Sequence, residues 1–368
     1  MQMVVSDRVV GQQPNGERAT VPVIQFSNGT GPKVYIQANI HGAEIQGNAV
    51  IERFLSLCRT HPPQGQFTIV PMANPIGINQ KSGEFTLGRF DPISGDNWNR
   101  QYHFNGDAIA PFAQQQRHAS DQQVKAAFTE LLQQQLQARL QTPWGLKTGQ
   151  RMALSLQQLA TDADIVLDLH TGPVSDRHLY VPEFARAQAK RFNIPLNIIM
   201  PADFGGALDE AAFSPWWQLS QAFAALGRDF PIAVNAFTLE LGSQEHLDPH
   251  QAEQDALGIA SYLEQHGCWA DGSHHPTPVT QHACLLQDYR ALYSPSGGQV
   301  EYLGQLGTPL PQGQAIARIW HYHKLGQDTP LFEEITLPCD AIPVLHFASA
   351  NAQQGTELYK VLTNTFEL

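Results

Sequence analysis

Positive charge is scarce in this 368-residue chain: 22 Lys and Arg stand against 34 Asp and Glu, a net charge of −12. With no Lys/Arg run, wrapping nucleic acid or an anionic membrane is excluded as a main role. Cysteine is also sparse. The four (Cys58, Cys268, Cys284, Cys339) are scattered without a CxxC, which argues against a cysteine metal site and suits a reducing compartment. No apolar run approaches the roughly 18 residues of a membrane-spanning helix. The start, MQMVVSDRVVGQQPNGER, shows no basic-then-apolar leader pattern, so the expected location is cytoplasmic. Internal repeats, a Walker motif and a dinucleotide glycine motif are all missing. What is present is 42% apolar and 15% charged residues, enough for a real core. The length gives a prior of about two domains.

Val/Ile-rich runs bounded by Gly and Pro predict strands at VPVIQF, VYIQANI and QFTIVPMANP. ADIVLDLHTG, HLYVP, LNIIMP and NAFTLELG read the same way. Helical spacing follows His41-Gly42-Ala43-Glu44 as far as Pro62. A second helix is expected over 120–140, with Ser120 and Gln123 at capping-box spacing. A third is expected over 249–266, with Asp248 as N-cap and Pro249 at its first position. Buried strands alternating with helices predict an α/β domain with a mixed sheet flanked by helices. Its expected extent is 1–269. A breaker-rich linker at 270–283 and a small C-terminal all-β domain at 284–368 should follow.

Three polar points end three apolar strands: His41 with Glu44, His170 in Asp-Leu-His-Thr-Gly, and Glu240 in Thr-Leu-Glu-Leu-Gly. Ligands of open α/β sheets bind beyond the carboxyl ends of strands, so one site is expected. Two imidazoles and a carboxylate form a catalytic zinc set with a fourth position open. Bound zinc acidifies water and polarises a carbonyl. A second carboxylate must then take the water's proton, and Glu240 is the candidate, because a charge in an apolar strand is costly without a use. Each piece alone is unspecific: an HxxE arises by chance, and a strand-end His is commonly a satisfied core residue. Glu245, His246, Asp248 and His250 also cluster, but a helix N-terminus explains them.

The order His-x-x-Glu, Asn-Arg, strand-end His and Glu in T-x-E-x-G resembles the zinc carboxypeptidase superfamily. With the trailing β domain, the chain resembles the succinylglutamate desuccinylase/aspartoacylase family over about residues 20–365. The resemblance implies one zinc ion per chain on His41, Glu44 and His170, with Glu240 as general base and acid. It implies Arg89 on the oxyanion, and Asn99 and Arg100 on a substrate carboxylate, where a guanidinium can grip both oxygens. Arg177 is a weaker carboxylate candidate. The family's Asp-Leu-Asn-Arg reads Asn97-Trp98-Asn99-Arg100 here. Asn97 and Asp168 are therefore the expected outer partners of the ligand histidines, with Asp96 as a substitute for Asn97 if the loop shifts. The implied activity is hydrolysis of the amide of a small N-acylated amino acid or related amine carrying a carboxylate. A carboxypeptidase-like peptidase and a non-catalytic small-anion-binding protein are the alternatives. The acyl group, the amine and the oligomeric state (a homo-oligomer is one option) stay open.

Overall fold

In the strand Ile165–Gly172 side chains alternate between two helical layers, as the period of two requires. Ile165, Leu167 and Leu169 face one apolar core; Val166 faces the other, and Asp168 and His170 follow it on the same face. The strand lies inside a ten-stranded sheet in a computed structural model that describes residues 2–368. Across the sheet the order is Val4–Gln12, Arg18–Asn28, Gly65–Val70, Lys33–Ala38, Ile165–Gly172, Asn235–Ser243, His178–Pro182, Leu196–Met200, His282–Leu285 and Phe366–Glu367. The first two strands pair antiparallel, and Arg18–Asn28 pairs antiparallel with Gly65–Val70. From Gly65–Val70 to Asn235–Ser243 the neighbours are parallel. His178–Pro182 then runs antiparallel to Asn235–Ser243.

Helices Gln46–Thr60 and Pro249–Glu264 cover one face, burying Phe54, Ile259 and Tyr262 against Phe67 and Phe237. The other face is covered by Ile109–Gln115, Asp121–Leu140, Thr148–Ala160 and Leu208–Ala225, around Phe128, Leu156, Trp216 and Phe223. Ser120 and Gln123 form the expected capping box. Asp248 caps the helix that starts at Pro249. At Gly47 a Cβ would stand 2.8 Å from the Ala38 Cβ and 2.9 Å from the Leu169 Cβ, so only glycine lets this helix press onto the two strands that end at the ligands. Among the described residues no helix is long and apolar enough to cross a membrane.

The C-terminal region forms two four-stranded antiparallel sheets. One contains Tyr289–Tyr293, Glu357–Leu362, Ile342–His346 and, from the α/β part, Val174–Ser175. The expected boundary at residue 284 falls inside the strand His282–Leu285, which pairs parallel with Leu196–Met200 in the large sheet. Phe366–Glu367 closes the edge beside it. The β region is thus tied to the large sheet at both its ends, and it takes residues 174–175, just beyond His170, into one of its own sheets.

Candidate active site

Lys33–Ala38, Ile165–Gly172 and Asn235–Ser243 are adjacent and parallel, so their carboxyl ends open on one edge of the sheet. Ala38 pairs with Leu169, and Glu240 with His170. His41 and Glu44 lie on a tight turn before the helix rather than within it, with the Glu44 N–H donating to the His41 carbonyl at 3.1 Å. Asn39, in the left-handed region at φ 64°, locks this turn. Its amide donates to the carbonyls of His41 and Gly42. His41, Glu44 and His170 are buried, and one ligand atom from each lies within 4.8 Å of the others. This is the one such group of His, Cys, Asp and Glu among the described residues, so Glu245, His246, Asp248 and His250 form no comparable set.

The outer nitrogens decide what the inner ones can do. His41 Nε2 stands 2.8 Å from Asn97 Oδ1, and His170 Nε2 stands 2.9 Å from Asp168 Oδ2. Asn97 Oδ1 only accepts, so the neutral His41 ring gives it its single proton, and the Asp168 carboxylate favours the proton on the outer nitrogen of His170 by its charge, without an aligned hydrogen bond. That leaves two Nδ1 lone pairs facing Glu44: His41 Nδ1 at 2.8 Å from Oε1 and His170 Nδ1 at 2.8 Å from Oε2. Lone pairs this close require a proton or a cation between them. Two imidazole nitrogens and a carboxylate are a donor set that fits a divalent ion such as zinc. Without an ion, the same carboxylates draw positive charge to this place as a proton on His170. Burial opposes the Glu44 charge, but the two imidazoles outweigh it and hold the carboxyl well below its ordinary range. Burial also opposes a charged His170, yet Asp168 and Glu44 push its pKa well above the ordinary value. Arg89 Nη1 donates to Glu44 Oε1 at 3.0 Å and lies 3.2 Å from His41 Nδ1, a cation already drawn to the same donors.

A cleft of about 440 Å³ opens over these groups. His41, Arg89, Asn97, Asn99, Arg100, His170 and Glu240 all line it. Glu240 is partly buried, and its Oε2 is shielded from solvent without a hydrogen-bond partner. Burial, then repulsion by Glu44, raises its pKa to about 7 against the pull of His170 and Arg89. Asn99 places Nδ2 3.0 Å from His170 Nε2 and leaves Oδ1 without a partner. Two donors cannot bond each other. Turning the amide by half a turn makes Oδ1 an acceptor for that N–H and frees Nδ2 as a donor. Arg100 is exposed at the cleft wall, with Nη1 held by the Asn99 carbonyl at 2.7 Å.

Two expectations meet a different placement. Arg177 is not brought to the cleft: it pairs with buried Asp255 at 2.9 Å, behind the site. Asp96 does not replace Asn97, because Lys147 holds it at 2.7 Å. Trp98, between Asn97 and Asn99, packs into the core. Other cleft residues carry no sequence motif, among them His178, Tyr180, Asp209 and Lys360. His178 and Tyr180 come from the antiparallel strand beside Glu240. Asp209 comes from the start of the helix Leu208–Ala225, and Lys360 from the C-terminal sheet. Each reaches the cleft through tertiary pairing, with no local motif to announce it.

The chain is similar to known proteins over most of its length. The model of the succinylglutamate desuccinylase/aspartoacylase catalytic domain matches residues 30–266. A solved structure of a succinylglutamate desuccinylase/aspartoacylase family protein from Shewanella amazonensis SB2B is 47% identical, with a TM-score of 0.96 over 99% of this chain and 100% of that one. The product-bound ectoine utilization protein EutE from Ruegeria pomeroyi shares the fold, at 16% identity and a TM-score of 0.68 over 98% of this chain and 95% of that one. The N-alpha-acetyl-L-2,4-diaminobutyric acid deacetylase of Halomonas elongata is 25% identical over 322 residues, covering 83% of this chain and 75% of that protein.

Proposed function

The chain belongs to the succinylglutamate desuccinylase/aspartoacylase family, and from that premise we propose that it is a zinc-dependent deacylase. Its reaction is hydrolysis of the amide bond of a small N-acylated amino acid or related amine that carries a carboxylate. The observation that carries this reading is the pair of imidazole Nδ1 atoms held 2.8 Å from the Glu44 carboxylate in a cleft shared with Glu240. His41, Glu44 and His170 would hold the ion. When bound, zinc supplies Lewis acidity for the scissile carbonyl and acidifies a water molecule.

The remaining steps belong to the chain. Glu240 takes a proton from the attacking water and later delivers it to the leaving nitrogen. Its partly buried position keeps its basicity near neutrality, which suits a group that must both accept and release a proton. The Arg89 guanidinium lies beside the ligand set and stabilises the charge that develops on the carbonyl oxygen. Nδ2 of Asn99, once turned outward, and the Arg100 guanidinium hold the substrate's carboxylate. Leu286, Tyr289 and Leu345 of the C-terminal region wall the opposite side, which favours a small substrate over a long peptide.

The diaminobutyrate relative makes N-acetyl amino acids the first substrates to offer. The test is release of free amine from a panel of N-acetyl and N-succinyl amino acids, alongside dipeptides, before and after chelation. Chelator-sensitive release from the acylated amino acids is expected. Preference for dipeptides would replace the deacylase with a peptidase. Binding without any turnover would leave a small-anion-binding protein.

A further inference from the structure

Glu240 has a neighbour on each side along the floor of the cleft. The register sets it opposite His170 on one strand and opposite His178 on the other. Directly opposed residues present their side chains on one face of a sheet. His178 is 1% exposed and lines the cleft. Its Nδ1 stands 3.1 Å from the Asp176 carbonyl oxygen, which can only accept. The proton of the neutral ring therefore lies on Nδ1 and is donated there. Nε2 keeps a bare lone pair, to which no group among the described residues donates. Burial, seconded by the Lys360 ammonium, lowers the basicity of His178 to about 4, so the ring stays neutral. Because His178 lines the cleft, that lone pair is available to a ligand that brings a hydrogen.

Resting on the deacylase reading, we propose that His178 Nε2 accepts the hydrogen of the substrate's scissile N–H. In the ground state the amide nitrogen is planar, with its lone pair shared with the carbonyl. To leave, it must become pyramidal and turn that lone pair toward protonated Glu240. The C–N bond then breaks, its electron pair stays on nitrogen, and the proton taken from water passes from Glu240 to that nitrogen. The N–H must point aside while this happens. An acceptor in the same row as Glu240 holds it there, so His178 is a positioning residue for the leaving nitrogen.

An ester has no such hydrogen, and this gives the test. Hydrolysis of an N-acyl amino acid is compared with that of the matching O-acyl hydroxy acid, by the zinc-loaded full chain and by its His178→Phe and His178→Gln variants. The amide-to-ester ratio of kcat/KM within each preparation is the readout, so a misfolded fraction cancels. His178→Phe is expected to lower the amide value about tenfold and leave the ester within about twofold. His178→Gln keeps an acceptor and recovers part of the loss. Equal losses on amide and ester, or no loss on the amide, would overturn the proposal. A wild-type chain that holds zinc and cleaves neither compound sinks the deacylase reading, and the role of His178 with it.

Discussion

Removing the side chain of Asn97 should weaken metal binding without touching a ligand. Its Oδ1 accepts two hydrogen bonds, from His41 Nε2 at 2.8 Å and from the Asn99 N–H at 2.9 Å. The first fixes the proton on the outer nitrogen of His41. In Asn97→Ala that proton is free to move to Nδ1, where Glu44 Oε1 waits at 2.8 Å, and a protonated Nδ1 cannot bind metal. Loss of such an outer partner typically costs 10–100-fold in metal affinity, about 1.4–2.7 kcal/mol. Asn97→Asp should move the other way. A carboxylate makes a charge-assisted bond roughly twice as strong as an amide does, so zinc should bind several-fold tighter than in the wild type. The assay is competition against a chromophoric zinc chelator for wild type, Asn97→Ala and Asn97→Asp, with thermal melts to verify folding. The reasoning is refuted if Asn97→Ala binds zinc within about twofold of wild type, or if Asn97→Asp binds more weakly than Asn97→Ala.

Other perturbations separate the remaining roles. Glu240→Gln should retain zinc and lose about 10²–10⁴-fold in kcat, checked by metal analysis and steady-state kinetics. Arg89→Met should lower kcat by about 10²–10³-fold through loss of oxyanion stabilisation, and metal content that fell in parallel would assign it instead to the metal site. Asp209 tests the electrostatics through stability. Burial first, then Glu210 and Asp168, raise its carboxyl from 3.8 to about 7. Between these values the folded chain holds a proton that the unfolded chain has released, so this group's contribution to stability falls as pH rises through the window. Asp209→Asn should therefore raise the melting temperature at pH 8 and leave it nearly unchanged at pH 4. A uniform shift at both would contradict the burial argument.

The ligand residues were legible because each ends an apolar strand, where a charge or an imidazole is conspicuous against Val, Ile and Leu. His41, Glu44, His170 and Glu240 meet because their three strands are parallel neighbours, the arrangement that strand–helix alternation predicts. His178 stayed hidden because HLYVP reads as an ordinary strand; only its antiparallel insertion beside Asn235–Ser243 sets it against Glu240. Lys360 was invisible for a similar reason: its strand belongs to a sheet that is stitched to Val174–Ser175, nearly two hundred residues earlier in the chain. Val4–Gln12 was missed because its outward side chains are mostly exposed and carry little alternation, so pairing with Arg18–Asn28, not burial, defines it. Arg177 illustrates the reverse error. Closeness to His170 in sequence suggested the cleft, but the chain turns, and Asp255 on the helix Pro249–Glu264 claims the guanidinium.

The most direct test of the metal centre is anomalous diffraction at the zinc edge from crystals grown with zinc. A single strong peak bounded by His41 Nδ1, His170 Nδ1 and the Glu44 carboxylate is predicted, and in Glu44→Gln crystals it should be lost or greatly weakened. A zinc-soaked crystal with no peak among these three residues, or with its main peak elsewhere, would contradict the assignment and remove the chemical basis of the proposed deacylation.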